Sequence, residues 1–381
     1  MSFKQPHALP SFSTPVRGRG ALHNPSGRFE ESTHETDAET FNALLEAGAE
    51  ELEKQVPTQT FRDASRTIVT SNDSPDIGLD FTANPYRGCE HGCIYCFARP
   101  THEYLGMSAG LDFETKIFVK YEAAELLREK LSSRSWQPHT IMFSGVTDCY
   151  QPLERKLKIT RACFEVLRDF RNPATVITKN HLVARDADVF AEMAARKLVF
   201  INLSITTLDP KLCRLMEPRA SRPDMRLRAI ETLAKAGVPV GVMIGPVLPG
   251  LTDHEIPAIL KAAADAGACS ANYVMLRLPY GVKDLFQSWL HEHFADRAEK
   301  VLRRLREMHG GKLYDSEWGH RMHGEGKHAE QIADLFKLAR KRHGLNRHVE
   351  LSTEHFDRGA AVVSSACSDW RDAGDVPATP P

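Results

Sequence analysis

The sequence predicts an α/β fold in which short buried strands alternate with helices and pair in parallel. Three observations predict it. From about Ile68 onward, apolar runs of strand length recur, separated by segments of helical periodicity. This strand–helix alternation repeats six times. The runs are rich in Val, Ile and Leu throughout, as strands covered on both faces require. Right-handed crossovers then give a parallel sheet, curved or closed, with helices outside. In such folds the working residues sit at the C-terminal ends of the strands.

Residues 1–36 are rich in Pro, Gly, Ser, Arg and His and read as a mobile arm. Asp37 to Val56 carries a modest stripe of Phe41, Leu44, Leu45, Leu52 and Val56, so a helix is expected there, stopped by Pro57. The six strands are expected at Ile77–Ala83, Thr140–Phe143, Ala174–Thr178, Leu198–Ile205, Val238–Ile244 and Ala271–Leu276. Helices are expected between and after them, at Tyr121–Arg134, Leu153–Phe170, Arg185–Arg196, Asp224–Ala236, Asp253–Ala266 and Ala295–Met308. A further helix is expected over Lys327–His343, a short strand over Val349–Ser352, and disorder over the last dozen residues. The expected organisation is an N-terminal arm with a short helix (1–66), a core domain (67–310), and a C-terminal helical extension with a disordered tail (311–381).

With 381 residues, 42% hydrophobic and 26% charged, the chain has an ordinary composition for a soluble enzyme. A net charge of −1 gives no global attraction to nucleic acid or anionic membrane. The charge is uneven: residues 297–347 carry 13 Lys+Arg against 7 Asp+Glu, and residues 1–74 carry 7 against 11. Met1 to Phe12 lacks the charged-then-apolar pattern of a signal peptide. The longest uncharged apolar stretch, Val238 to Leu251, is too short for a bilayer and is cut by Pro239, Pro246 and Pro249. The expectation is a cytoplasmic protein, without membrane association, whose thiols stay reduced.

Three of the eight cysteines, Cys89, Cys93 and Cys96, stand in one loop just past the first expected strand, spaced x3 and then x2. Gly88 and Gly92 beside them let backbone approach a compact inorganic cluster. Three thiolates this close can hold three corners of an iron–sulfur cube, and no fourth cysteine follows at loop spacing. A zinc site would want four ligands, commonly in two separated pairs, with His91 or His102 as the nitrogen donors at hand. A ferredoxin-type cluster would want a further cysteine ahead of a proline, whereas Arg99 precedes Pro100. The triplet therefore reads as an iron–sulfur site with one iron open to a substrate or cofactor.

This loop, with aromatic Tyr95 before the last cysteine, resembles the signature of the radical S-adenosylmethionine (SAM) enzymes. The resemblance extends over roughly residues 75–310. The longer string from Asn84 to His102 is similar to a bacterial branch related to spore photoproduct lyase. The resemblance implies a partial (β/α)6 TIM-type barrel, one [4Fe–4S] cluster and SAM. It also implies a reduced flavodoxin- or ferredoxin-type electron donor. In that family SAM chelates the open iron, an electron breaks its bond to the 5′ carbon, and the 5′-deoxyadenosyl radical takes hydrogen from a substrate. Carried over by position, Cys89, Cys93 and Cys96 would ligate the cluster and Tyr95 would lie near the adenine. Ser144-Gly145-Val146-Thr147-Asp148 occupies the place of the family's Gly-Gly-Glu segment for the SAM amino group, but keeps one glycine and has Asp148 for the glutamate. Gly145, Thr147 and Asp148 are its candidate contacts. Ser204 and Thr206 stand where a ribose contact is expected, followed by Glu217 and by Arg219 as a partner for the SAM carboxylate. The segment Val240 to Pro246 resembles the family's adenine wall.

Cys149 and Tyr150, just past the SAM segment, are candidates for hydrogen transfer to a substrate radical; the ordinary alternative for Cys149 is a small buried packing residue. Arg277, ending the sixth strand, is a candidate for an anionic substrate group. The segment Tyr314 to Arg321 is dense in polar and aromatic groups and reads as a lid or wall. His320, His323 and His328 raise a second metal site, but lack carboxylates or cysteines at firm spacing. Two further readings stand beside the enzyme of undefined substrate. One is DNA repair of the photoproduct-lyase type, with nucleic acid held by the basic 297–347 region. The other is a non-catalytic iron–sulfur carrier or sensor.

Overall fold

The computed structural model describes residues 18–21, 23–29, 56–76 and 78–359. The helix expected over 37–56, the tail after 359 and Ile77 lie outside these residues, apart from Val56. Strands β1 (Gln59–Arg62), β2 (Val69–Ser71), β3 (Phe81–Ala83) and β4 (Tyr86–Arg87) precede the cysteine loop. Helix α1 (Leu111–Thr115) runs into β5 (Lys116–Val119), which pairs with β1 and β4 in a small three-stranded sheet. This sheet was not legible in the sequence, because its strands are at most four residues long and mix polar with apolar positions.

The main sheet has seven strands. After α2 (Ala123–Ser132) comes β6 (Ile141–Phe143), then α3 (Glu154–Leu157), α4 (Ile159–Asp169) and β7 (Ala174–Thr178). Helix α5 (Ala187–Ala194) leads to β8 (Val199–Ser204), and α6 (Pro210–Met216) and α7 (Pro223–Lys235) lead to β9 (Val240–Val247). Helix α8 (Ile256–Asp265) leads to β10 (Ser270–Met275), followed by α9 (Val282–Met308) and α10 (Gly326–Arg342). The spatial order β10-β9-β8-β7-β6-β3-β2 is sequential and parallel from β3 to β10, with β2 antiparallel at the edge. A helix between each successive pair is the βαβ arrangement that the alternation predicts, in a mixed α/β fold consistent with a partial barrel.

Local chemistry accounts for several boundaries. Asp209 caps α6, its carboxylate accepting from the amides of Lys211 and Leu212, and Pro210 follows at the first helical position. The helix expected over Leu153–Phe170 is two helices, broken where Lys158 takes φ +55°. The last core helix begins at Val282, ahead of the expected Ala295, and kinks at Phe294. No strand forms over Val349–Ser352; Ser352 instead donates its amide to the Lys197 carbonyl at 2.9 Å. The core between sheet and helices includes Ile141, Phe143, Val176, Ile201, Leu203, Val242 and Ile244, all fully buried. Each such side chain contributes roughly 1.5–3 kcal/mol relative to exposure. Among the described residues, no helix is long and apolar enough to cross a membrane.

The expected mobile arm is ordered where it is described. Arg19, Gly20 and Ala21 are buried against the cysteine loop and α1, Asn24 accepts from Asp112 N of α1, and Arg28 and Phe29 meet Glu103 and Tyr104 beyond the loop. Its low hydrophobicity suggested disorder, but this contact is made through backbone amides and arginines rather than through an apolar stripe.

Candidate metal and cofactor site

The cysteine loop leaves the sheet at the C-terminal end of β3. Its backbone is fixed from outside: Cys89 N donates to Phe113 O at 2.9 Å and Ile94 N to Met216 O at 3.0 Å. Gly92 turns the loop with φ +67°, and a Cβ there would stand 2.7 Å from a Glu114 oxygen. Only glycine fits such a position. Cys89 and Cys93 are buried and Cys96 is partly buried. Burial, with Glu217 next, pushes the Cys93 thiol well above its ordinary pKa; burial and then Cys89 push Cys96 up. Thiols such as those of Cys93 and Cys96, whose ionisation burial opposes, favour a positively charged ligand, which would replace their protons.

The loop's neighbours are charged and buried. Arg99, fully buried, donates through Nε to Cys93 O at 3.0 Å and through Nη2 to Glu114 at 2.5 Å. On the barrel side, the Tyr95 hydroxyl donates to Glu217, which also accepts from Thr206 Oγ1 at 2.8 Å and pairs with Arg226. Burial opposes ionisation of Glu217, but Arg226 and Lys179 outweigh it and hold its pKa at about 2. Burial likewise opposes charge on His91, yet Asp148, at 3.3 Å, and then Cys89 lift its pKa to about 10.

The C-terminal ends of the next strands converge on this loop. Past β6, Ser144 has φ +71°, an uncommon and strained backbone for serine, and its Oγ accepts from Cys149 N at 2.9 Å. Asn84 Oδ1 accepts from Val146 N at 3.1 Å, joining the loop after β3 to that after β6. Directly after β7, Lys179 donates to Gly245 O at 3.0 Å, and its ammonium lies 5.7 Å from the Tyr95 ring centroid. Its charge also acts to lower the pKa of Cys93 and Cys96. The sequence reading missed Lys179, although its place as the first residue after a buried strand marked it.

Several expected residues are already engaged by neighbours in the fold. Asp148 presents no free carboxylate: it accepts from Thr178 Oγ1 at 2.8 Å, Lys179 N at 2.8 Å and Tyr150 N at 2.9 Å, besides pairing with His91. It braces the β6 and β7 ends. Arg219 is engaged with Glu90 at 3.1 Å and Thr58 at 3.2 Å, so its guanidinium is already neutralised. Thr147 donates to Tyr86 O at 3.0 Å, and Ser204 is buried at the end of β8. Gly145 is half-buried between Met142 and Thr82. Cys149 and Tyr150 are fully buried in the main core, and the Tyr150 hydroxyl donates to Asp186 at 3.0 Å. His320, His323 and His328 do not converge: they meet Glu325, the Tyr273 ring and Asp253 respectively.

The superfamily model for radical SAM proteins matches residues 83–263, from the end of β3 into α8. The chain belongs to the radical SAM superfamily. The uncharacterized protein Rv2578c of Mycobacterium tuberculosis is 36% identical over 229 residues, 59% of this chain and 67% of that protein. The uncharacterized protein MJ0683 of Methanocaldococcus jannaschii is 28% identical over 178 residues, 47% of this chain and 64% of that protein. Among solved structures, a spore photoproduct lyase variant with bound AdoMet and dinucleoside spore photoproduct superposes with a TM-score of 0.51 at 14% identity, covering 74% of this chain and 78% of that one. This last likeness is one of fold.

Superfamily membership implies a [4Fe–4S] cluster and SAM as cofactors. The residues fit that donor set. Among the described residues, the only trio of His, Cys, Asp or Glu ligand atoms within 4.8 Å of one another is the surface group Asp315, Glu317 and His320. At least one pair of the three loop sulfurs therefore stands more than 4.8 Å apart, wider than the pairs around one tetrahedral zinc ion, whose bonds to sulfur are about 2.3 Å. Spread sulfurs around a buried loop suit the corners of a cluster.

Proposed function

We propose that this protein is a radical SAM enzyme in which Cys89, Cys93 and Cys96 hold a [4Fe–4S] cluster and SAM takes the fourth iron. The site sits on the C-terminal face of a partial (β/α)6 barrel, with β10 and α9 as its sixth unit. With a reduced flavodoxin- or ferredoxin-type donor, the bound pair would supply a 5′-deoxyadenosyl radical for hydrogen abstraction. The protein's own residues hold and orient. Arg99 and Glu217 fix the cysteine loop from its two sides through Cys93 O and Tyr95. Lys179 takes the role expected of Arg219, meeting the SAM carboxylate by a charge-assisted bond. The backbone of Ser144 to Val146, held open by Ser144, faces the amino group. Arg277 stands over the Phe97 ring at 5.0 Å, and its buried Nε has no hydrogen-bond partner among the described residues. In this reading Arg277 is the cation beside the loop that would meet an anionic group of the substrate.

The observation that carries this reading is the loop itself: three cysteines at x3 and x2 spacing on a turn braced from both sides by buried charge. Anaerobic reconstitution with iron and sulfide is its first test. About four iron atoms per chain and thiolate-to-iron absorption are expected. One tightly held zinc and no iron would refute it.

A further inference from the structure

The segment before the first strand contributes to the cysteine site. Gly20 and Ala21 donate their amides to the two oxygens of Glu114 at 2.9 and 2.8 Å. Glu114 is fully buried, and its pairing with Arg99 connects it to the Cys93 carbonyl. Arg19 donates to Glu114 O at 2.7 Å, and also to Val56 O at 2.7 Å. The backbone of Gly20 lies directly on the loop: a Cβ there would stand 1.8 Å from Gly92 O. At its far end, Arg28 pairs with Glu103 at 2.5 Å and stacks 3.8 Å from the Tyr280 ring, beyond β10. The segment thus crosses from the turn between Cys89 and Cys93 to the far edge of the sheet.

We propose that residues 18–21 and 23–28 are a strap belonging to the cluster site, with Glu114 as the residue that positions it. The strap holds the turn between Cys89 and Cys93 in its closed conformation and slows exchange of the bound metal with solvent. The proposal rests on the cluster reading above. The physical argument is that the loop cannot open outward until Gly20 lifts off Gly92 and the amides leave Glu114. A site closed by a local contact of this kind opens with the frequency at which that contact breaks.

Gly20→Ala tests it, because one methyl group cannot fit and the strap must lift while the barrel core is untouched. Wild type, Gly20→Ala and Arg19→Met are loaded anaerobically, and the rate of iron release to an excess of ferrous chelator is measured beside the melting temperature of the metal-free chain. Leu127→Ala, in the core and remote from the loop, is the control for general destabilisation. Iron release about tenfold faster than wild type in Gly20→Ala is expected, the size of one lost charge-assisted hydrogen bond. Arg19→Met should change in the same direction, and Leu127→Ala should release iron at the wild-type rate. Unchanged release in both strap variants overturns the proposal, as does equal acceleration in Leu127→Ala. A wild-type chain that takes up no iron refutes the cluster reading itself, a result distinct from either.

Discussion

Around the cysteine loop, Arg99, Glu114, Glu217 and Arg226 have side chains at most 1% exposed, and they pair with one another. In the basic region 297–347, the pair Arg303 and Glu307 leaves 69% and 59% of its side chains in water. The two regions are both rich in charge, yet the charges act differently. A buried pair is expensive to desolvate and is weak evidence for net stability, but its geometry is fixed. Here each buried pair fixes one part of the same loop, Cys93 O on one side and Tyr95 on the other. An exposed pair is screened and contributes about 0–1 kcal/mol. The comparison shows where charge orients a site and where it solvates a surface.

The largest way to break this contrast is at the ligands. Cys93→Ser should reduce reconstituted iron to near background and abolish 5′-deoxyadenosine formation, read by iron analysis and chromatography. Retained iron and turnover would remove the loop from the chemistry. Next comes the barrel-side pair. Arg226→Met leaves Glu217 buried without its cation and should destabilise the metal-free chain by about 3–5 kcal/mol in urea unfolding. A loss below about 1 kcal/mol would place that pair with the surface ones. Lys179→Met should raise the KM for SAM about tenfold or more, the range of one charge-assisted hydrogen bond, while iron loading stays normal. Arg219→Ala in parallel should leave that KM unchanged, and the reverse result would restore the original assignment. Cys149→Ala should cost about 1 kcal/mol of stability and leave the rate of SAM cleavage unchanged. Smallest of all, Arg303→Ala should alter stability by less than about 0.5 kcal/mol.

Much of the fold was legible because its parallel strands are continuous apolar runs: Ala174–Thr178 was read at its observed bounds. The cysteine triplet was legible because metal chemistry needs thiols at close spacing, whatever the surrounding fold. The supports of the loop were not. Glu114 lies 18 residues past Cys96 in an ordinary acidic stretch, and only the folded chain brings it under Gly20 and Arg99. Asp148 and Arg219 were placed by position in a family pattern. Sequence position cannot show that Thr178, His91 and Glu90 already engage them. Lys158 broke a helix that periodicity ran straight through, since a single left-handed residue leaves no trace in an apolar pattern.

The central claim is that this loop carries a cluster able to cleave SAM. Reconstituted protein, reduced under anaerobic conditions and given SAM, is assayed for 5′-deoxyadenosine. The account predicts its formation in the wild type and its absence in Cys93→Ser. A wild-type chain that carries its iron and is reduced, yet forms no 5′-deoxyadenosine from SAM, would contradict it.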